Sequence, residues 1–408
     1  MSDHVAEVEL RWVRRAVWWM PLVGALAAPL LYRGTWALLV LDAGLVKPLS
    51  ALAWLFTAAT GAGIGLLLVL AWRWSLGSPA VRRVSWRWGV GLVVGAEAVV
   101  RRTPVLDAAW AALRARAPHD GDFFIREMAL YRRAALTNER RYALPRVLVA
   151  GSSQLIMGVD YELLQRLCPR QGVERRCIAA MSPARMLMAE PFLGVRTGDT
   201  VVVYWSEFDM GGLTQLDTAW FRPLANASGL RALWSVVPRD TMITGWRNVL
   251  DLASASGSEL WRSRDAWRLV LNRVTGSLPG PKVGSGTALV EDQAGGYGSG
   301  LRNEPFFQAG LEASRRLLRE WQRAGARVVV LEGSLNPAMH QPETPARRSQ
   351  TRAWLAAACA ETGAHYLPLE QQGYQPAAHD WSDGTHLNAE GREKFTRYLA
   401  EVVAPPVP

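Results

Sequence analysis

The sequence predicts an α/β domain with a mainly parallel sheet, preceded by transmembrane helices at the N-terminus. Three observations support this prediction. Long apolar runs fill the first hundred residues. From about Thr103 onward, short β-branched segments alternate with amphipathic segments, a pattern typical of parallel strands covered by helices on both faces. A Ser-containing turn follows the first predicted strand of this alternating region, and an Asp-x-x-His motif precedes its last predicted helix.

The N-terminal region, residues 1–102, is predicted to contain two or three transmembrane helices. Ala16–Tyr32 is apolar, and Leu49–Trp72 carries no charge and is long enough to cross a hydrocarbon core of about 30 Å. The region has 11 Arg/Lys and 5 Asp/Glu, so it contributes +6 (11 − 5) of the net charge of +10. Because this charge flanks apolar runs, it is typical of membrane-flanking segments, and we do not expect nucleic-acid binding.

A third apolar run, Trp88–Val100, decides on which side of the membrane the large domain lies. The arginines before the first run and after the second place both flanks inside. If Trp88–Val100 crosses, the domain is periplasmic or extracellular; if it lies in the interface, the domain is cytoplasmic. Its short length favours the interface, whereas the function inferred below favours a crossing, in which Glu97 could face a partner helix. We therefore expect a bacterial inner-membrane protein with its catalytic domain outside, and cytoplasmic placement stays open.

Residues 103–145 are predicted to form a helical lead-in to a domain at 146–408. Its predicted strands are Arg146–Ala150, Arg176–Ala180, Thr200–Tyr204, Arg327–Leu331 and Ala364–Leu367. Its predicted helices are Val159–Leu167, Ala184–Leu193, Leu311–Ala324, Thr351–Thr362 and Ala389–Val402. Residues at about 211–301 interrupt the alternation, and we predict a helical insertion with a Gly-rich loop that forms a cap or a substrate surface.

The three cysteines allow two interpretations. Cys168 and Cys177 are close enough in sequence to form a disulfide in an oxidising compartment. Alternatively, these two residues and Cys359 are small buried hydrophobic residues. No Cys/His cluster has the spacing of metal ligands, so we expect neither a metal nor another cofactor.

The candidate catalytic residues are Ser153, Asp383 and His386. Ser153 belongs to Gly151-Ser152-Ser153, which directly follows a predicted strand. A serine hydroxyl becomes an effective nucleophile when a base takes its proton, and a carboxylate holds a histidine base in the correct tautomer. The segment Asp383-Gly384-Thr385-His386 presents both groups from one loop. Together the motifs predict a Ser/His/Asp acyl-transfer site.

With Gly151-Ser152-Ser153 after a strand and Asp383-x-x-His386 before a final helix, the chain resembles the SGNH/GDSL hydrolase superfamily. It looks most like the membrane-anchored branch that includes alginate acetylation proteins and the D-alanine transfer protein of teichoic acids. The resemblance covers roughly residues 146–402 and implies an SGNH-hydrolase-like three-layer fold. It implies that Ser153 is the nucleophile, that His386 is the base and that Asp383 orients it.

The resemblance also implies an oxyanion hole, and here the sequence departs from the family pattern. The second block of the family contains a Gly, whereas this chain has Ala180-Met181-Ser182. The third block contains an Asn, whereas Tyr204–Asp209 has none. The candidates for contacts to the oxyanion or substrate are therefore Ser182, Ser206 and Asn336. For Asn336 the alternative is a turn stabilised by Asn and Pro.

Two functions of different class follow. The first is a membrane-anchored acyltransferase or esterase, by resemblance one that O-acetylates an envelope or exported polysaccharide. The expected partners are the bilayer, the polysaccharide acceptor and a membrane O-acyltransferase. The second is a catalytically inactive protein that binds a glycan or assembles an export complex. The altered third block would then indicate the loss of catalysis. A cytoplasmic lipid or thioester hydrolase follows if Trp88–Val100 does not cross.

Overall fold

The computed structural model describes residues 145–178, 180–211, 222–262, 301–340 and 342–404, and a few helical positions between 19 and 98. Most of the predicted membrane region, the lead-in at 103–145 and the Gly-rich loop lie outside these residues. Within them, no helix is both long and apolar enough to span a membrane. The described residues belong to two compact units, and the sheet with its covering helices lies in one of them.

Five strands form a single parallel sheet, which confirms the predicted α/β class. They are β1 Arg146–Gly151, β2 Gly172–Cys177, β3 Thr200–Trp205, β4 Arg327–Glu332 and β5 His365–Leu367. Their order across the sheet is β2-β1-β3-β4-β5. The chain moves from β1 outward to β2 and then returns to the other side of β1 for β3. The carboxyl ends of β1 and β3 therefore flank the topological switch point, where open α/β sheets bind their ligands.

Helices connect the strands and form the region at 222–262. They are α1 Ser153–Gly158, α2 Tyr161–Leu167, α3 Pro183–Leu193, α4 Glu207–Met210, α5 Ala227–Trp234, α6 Arg239–Thr244, α7 Trp246–Gly257, α8 Glu259–Arg262, α9 Glu304–Arg323, α10 Thr344–Thr362 and α11 Ala389–Val403. The described part of the predicted insertion is thus helical. Helix α8 belongs to the other compact unit.

The sheet is covered on both faces, as the alternation of its side chains shows. On β3, Val201, Val203 and Trp205 contribute to one buried core, and Val202 and Tyr204 contribute to the other. Helices α3, α5, α9 and α10 complete the first core, and α1, α2 and α11 complete the second. Burial on both faces explains why β3 is a continuous apolar run rather than an alternating one.

The boundaries of one predicted strand and three predicted helices were wrong. The second strand is Gly172–Cys177, because its pairing with β1 ends at Gly151 opposite Cys177. The helix predicted at Val159–Leu167 begins at Tyr161, because Asp160 caps it by accepting a hydrogen bond from the Leu163 N–H at 2.9 Å, and the separate short helix α1 precedes it. Helices α9 and α10 begin at Glu304 and Thr344, earlier than predicted, because each has a proline in its first turn, where proline is tolerated.

All three cysteines are free and buried, so Cys168 and Cys177 form no disulfide. The thiol of Cys177 donates to the Val149 carbonyl at 3.1 Å and lies 3.4 Å from the Tyr161 hydroxyl. Burial raises the pKa of Cys177 to about 12, so the thiol stays protonated. The interpretation of the cysteines as small buried hydrophobic residues is confirmed.

Candidate active site

Ser153 is the first residue of α1 and lies just past β1, at the carboxyl edge of the sheet. Ser152 caps the helix, and its Oγ accepts from the Gln154 N–H at 3.4 Å. Ser152 is buried, whereas Ser153 is half-buried. A Cβ on Gly151 would lie 2.7 Å from Cδ1 of Leu155, so glycine allows the first turn of α1 to pack tightly on the strand end. The turn thus buries one serine and leaves the next one accessible.

Asp383 and His386 form a hydrogen-bonded pair within one short loop. Nδ1 of His386 lies 2.7 Å from Oδ2 of Asp383. The other carboxylate oxygen, Oδ1, accepts from the backbone N–H groups of Thr385 at 2.7 Å and of His386 at 2.9 Å. Because a carboxylate can only accept, Nδ1 carries the proton in this pair and Nε2 is the nitrogen available as a base.

The carboxyl group of Asp383 is strongly stabilised in its ionised form. Burial raises its pKa, but hydrogen bonds from the His386 ring and from the Thr385 and His386 backbone outweigh burial and lower the pKa to about 2. Both side chains remain about one-fifth exposed, 18% for Asp383 and 21% for His386. Asp383 is therefore ionised and the pair is oriented, yet both side chains are still open to a substrate.

The loop that carries this pair is held at both of its ends. The Ser382 N–H donates to the His386 carbonyl at 2.8 Å, and Trp381 pairs with Leu387 in an antiparallel bridge. Asn388 then caps α11 by accepting from the Gly391 N–H at 3.0 Å. These contacts turn the chain back on itself and fix His386 just before the helix begins.

The segment after β4 connects the serine turn with the Asp383 loop. Gln154 donates from Nε2 to the Ser334 carbonyl at 3.3 Å. Asn336 donates from its backbone N–H to the Gly384 carbonyl at 3.2 Å and from Nδ2 to the Asp383 carbonyl at 3.3 Å. Helix α11 also packs on α1. The structure therefore brings Ser153, Asp383 and His386 to the same edge of the sheet.

Ser153 and His386 share no direct hydrogen bond in the described part of the chain. Nε2 of His386 lies 3.5 Å from the Thr385 hydroxyl. Catalytic hydrogen bonds are often long before substrate binds and shorten in the reactive complex. The Asp383–His386 contact is thus formed without a contact between His386 and Ser153.

Ser182 and Asn336 both cap helical turns. The Oγ of Ser182 accepts from the Arg185 N–H at 3.3 Å at the start of α3, and the residue is buried. The Oδ1 of Asn336 accepts from the Ala338 N–H at 3.1 Å at the start of a short turn, Pro337–Met339. The turn interpretation of Asn336 is confirmed, and its amide donors are directed to the Asp383 loop.

Ala180 lies past the end of β2, where the resemblance places a Gly of the second block. Its φ is 54°, in the left-handed region, and it is the one non-glycine residue of the described chain with a positive φ. Its carbonyl accepts from the Arg185 guanidinium at 2.5 Å. An alanine here adopts the conformation that glycine takes without steric cost.

Ser206 is engaged by a carboxylate that the sequence did not single out, Asp209. Both the N–H and the hydroxyl of Ser206 donate to Oδ2 of Asp209 at 2.8 Å. Burial raises the pKa of Asp209 to about 6, a shift that the bonds from Ser206 reduce and the nearby Glu207 charge increases. The spacing Ser-x-x-Asp after a strand is the sequence signal of this capping box.

Two other buried carboxylates at this edge are ion-paired with arginines of α10. Glu207 accepts from Arg348 at 2.9 and 3.2 Å, and Arg348 also contacts His340 at 3.2 Å. Glu332 accepts from Arg352 at 2.8 and 3.1 Å. These pairs hold α10 against the ends of β3 and β4. Glu207 and Glu332 thus each have an arginine partner, whereas Asp209 has no ion pair among the described residues.

One group of side chains has the composition of a metal site. His379, Asp380 and Glu390 place one ligand atom each within 4.8 Å of one another. The ammonium of Lys394, however, lies 3.0 Å from Asp380 and 2.7 Å from Glu390. A lysine cation thus already pairs with both carboxylates, in an ion-pair cluster formed by α11 and the turn Ala378–Asp380.

Comparisons of the chain with protein-family models, with curated proteins and with solved structures found no match. The inference of function therefore depends on the fold and the residues of the site. These define a parallel α/β domain with a serine turn and an Asp–His pair at the carboxyl edge of its sheet.

Proposed function

We propose that this chain is a membrane-anchored serine acyltransferase or esterase of SGNH-like type. The observation that supports it is the pair formed by Asp383 and His386 at 2.7 Å, on the sheet edge that also carries Ser153. A carboxylate fixed by its own loop orients the imidazole, and this leaves Nε2 to act on a hydroxyl. The position of both motifs near the topological switch point agrees with a ligand-binding role.

The reaction proceeds in two acyl transfers. Nε2 of His386 takes the proton of Ser153 as Oγ attacks the acyl carbonyl, and Asp383 stabilises the imidazolium that forms. The tetrahedral intermediate breaks its bond to the leaving group, which receives the proton from His386, and an ester of Ser153 remains. His386 then deprotonates an acceptor hydroxyl, which attacks this ester and releases Ser153 with its proton. Water as acceptor gives hydrolysis.

The acyl group and the acceptor follow from the resemblance rather than from the site. The acyl group is an acetyl group supplied through a membrane O-acyltransferase. The acceptor is a hydroxyl of an envelope or exported polysaccharide. The uncharged run Leu49–Trp72 supports a membrane anchor at the bacterial inner membrane. The periplasmic placement requires that Trp88–Val100 cross. A C-terminal alkaline phosphatase fusion tests it, since the fusion is active only outside the cytoplasm.

The central experiment replaces Ser153 with Ala in the full chain. The wild type is expected to hydrolyse p-nitrophenyl acetate and to react covalently with a fluorophosphonate, and Ser153→Ala is expected to do neither. Ser254, an exposed serine of α7, provides the matched control, and Ser254→Ala should retain both reactions. Persistent turnover and labelling of Ser153→Ala would show that Ser153 is not the nucleophile.

One observation favours a second candidate, a glycan-binding or export-assembly protein without catalysis. The hydroxyl of Ser206 is bound to Asp209 at 2.8 Å, so it does not serve as the oxyanion donor of the third block. Loss of one such donor lowers rates by about 10²–10³-fold. A wild type that fails to react with the fluorophosphonate but binds an acetylated polysaccharide in calorimetry would support this candidate.

A further inference from the structure

The candidate nucleophile and the Asp–His pair lie on separate parts of the chain, and a connecting segment, residues 333–336 after β4, joins them. Gln154, which directly follows the nucleophile, donates from Nε2 to the Ser334 carbonyl at 3.3 Å. Asn336 donates from Nδ2 to the Asp383 carbonyl at 3.3 Å. Because the nucleophile and the histidine share no direct hydrogen bond among the described residues, the position of the connecting segment sets the separation between them.

Tyr204, near the carboxyl end of β3, holds the centre of the connecting segment. Its hydroxyl accepts from the Ser334 N–H at 2.7 Å and lies 2.9 Å from the Ser334 hydroxyl, and both residues are buried. The next residue of β3, Trp205, accepts at its carbonyl from the Gly333 N–H at 2.7 Å. A Cβ on Gly333 would lie 3.0 Å from the Trp205 carbonyl carbon, so glycine permits this close approach. Two successive residues of the connecting segment are thus bonded to two successive residues of β3.

The ring and the hydroxyl of Tyr204 make different contacts. The ring belongs to the core beneath α11 and packs edge-on against Phe395, with the ring centroids 5.4 Å apart, a contact that phenylalanine could also make. Among the described residues, the hydrogen bonds of the hydroxyl all go to Ser334. Burial raises the pKa of Tyr204 to about 12, so the hydroxyl keeps its proton at neutral pH and can donate as well as accept. The ring therefore fills the core, and the hydroxyl binds the connecting segment.

We propose that Tyr204 is a positioning residue for acyl transfer, whose hydroxyl fixes the connecting segment and thereby the separation of Ser153 and His386. This inference rests on the proposed role of Ser153. Buried backbone N–H groups in proteins have hydrogen-bond partners, and loss of such a partner is costly. Without the Tyr204 hydroxyl, the Ser334 N–H loses its acceptor, and the connecting segment moves to find another. This movement displaces the hydrogen bonds by which the segment holds the serine turn and the Asp383 loop.

The test measures how fast Ser153 reacts with a fluorophosphonate in the full-length protein. Tyr204→Phe keeps the ring and is expected to lower the rate at saturating reagent by about 10- to 100-fold, the scale of a displaced catalytic group. The half-saturating concentration should not change, because the variant removes no contact with the reagent. A residue that only stabilises the fold would instead lower the fraction of protein that becomes labelled, and the folded molecules would react at the wild-type rate.

Tyr366→Phe is the matched control, since the hydroxyl that it removes lies 3.2 Å from the Glu332 carboxylate, outside the connecting segment. It should leave the labelling rate within about twofold of the wild type, as expected for a change at an independent site. Ser334→Ala is a second variant, which loses the serine hydroxyl but keeps the N–H bond to Tyr204, and it should slow labelling to a smaller extent.

The outcomes separate this inference from the proposed function. A wild type that is not labelled overturns the proposed function and this inference with it. A labelled wild type, together with a folded Tyr204→Phe that reacts at the rate of the wild type or of Tyr366→Phe, overturns the inference alone. If Tyr204→Phe does not fold, a Ser334→Ala variant that reacts at the wild-type rate does the same.

Discussion

Nδ1 of His386 lies 2.7 Å from Oδ2 of Asp383, and both residues belong to the same four-residue segment. The other oxygen of Asp383 accepts two backbone N–H groups from that segment, at 2.7 and 2.9 Å. Contacts within residues 383–386 therefore orient most of the Asp–His pair. For this reason the sequence motif alone was enough to predict the pair.

Replacement of Asp383 with Asn should reduce turnover of p-nitrophenyl acetate sharply. The amide group does not accept the Nδ1–H of His386 as the carboxylate does, so the imidazole loses its orientation and its tautomer. We expect a decrease of about 10²–10⁴-fold in kcat/KM. Asp240→Asn, on the exposed face of α6, is the control and should retain activity. Equal activity of both variants would contradict the assignment of Asp383.

The same variant should change the acid stability of the domain. The pKa of Asp383 is lowered to about 2, despite burial, by its hydrogen bonds to His386 and Thr385. A carboxyl with a lowered pKa stabilises the fold above its ordinary pKa of 3.8 and loses this effect as the pH falls towards 2. Between pH 5 and pH 2 the wild type should lose about 2 kcal/mol more of unfolding free energy than Asp383→Asn, as measured by urea titration.

Local patterns predicted most of the fold, and the exceptions have physical reasons. Strands β1, β3 and β4 are continuous apolar runs, so burial on both faces made them recognisable. Strand β2 contains Glu174, Arg175 and Arg176 and has no such run. Two of these charged residues are buried in ion pairs, Glu174 with both Arg146 and Arg176. A tertiary ion-pair network therefore stabilises this strand, and no local pattern reveals it.

The residues of the site, like the strands, divide into those that a local sequence pattern predicts and those whose environment depends on tertiary packing. Ser153 and the Asp383–His386 pair are local motifs, and the structure places them at one sheet edge. Asp209 also has a local signal, the Ser-x-x-Asp spacing from Ser206. Its burial and its lack of a cationic partner depend on the packing of β1, β3 and α10, which the sequence does not display. Ser206 was therefore predicted as an oxyanion donor, although its hydroxyl is bound to Asp209.

Replacement of Ala180 with Gly should stabilise the domain. Ala180 has a φ of 54°, and an L-residue in this region is about 1–2 kcal/mol less favourable than in its usual conformations. Part of this gain is offset because glycine loses more backbone entropy on folding, so we expect a net increase of about 0.5–1 kcal/mol in unfolding free energy. Urea titration at neutral pH measures it.

The control for this change is Ala356→Gly, at an exposed position in the middle of α10. There the backbone is helical, and glycine should destabilise by about 1 kcal/mol. Opposite signs for the two substitutions would confirm that the left-handed conformation at residue 180 is the cause. A loss of stability in both would contradict it.

Replacement of Asn336 with Ala should loosen the Asp383 loop and slow the reaction of Ser153. The change removes the bond from Nδ2 to the Asp383 carbonyl and the cap to Ala338, with a loss of about 1–2 kcal/mol in stability. We expect the labelling rate to fall about tenfold, because a small displacement of a catalytic group is costly. Asn303→Ala, which removes the cap of α9, should reduce stability without slowing labelling.

Replacement of Asp209 with Asn should make the domain more stable above pH 6. Burial raises the pKa of Asp209 to about 6 in the folded protein, from an ordinary value of 3.8. As the pH rises from 4 to 6, the unfolded chain releases this proton before the folded chain does. The unfolding free energy therefore decreases over this range, and the full decrease of about 3 kcal/mol is present above pH 6. The amide carries no charge and avoids this cost.

The measurement compares the unfolding free energies of the wild type and Asp209→Asn at pH 4 and pH 8. The two proteins should be similar at pH 4, and the variant should be more stable at pH 8. Glu207 and Tyr204, the titratable neighbours of Asp209, are present in both proteins, so their contributions cancel in the difference. A variant less stable than the wild type at pH 8 would instead show that the hydrogen bonds of the ionised carboxylate outweigh its burial, and that Asp209 stabilises the fold.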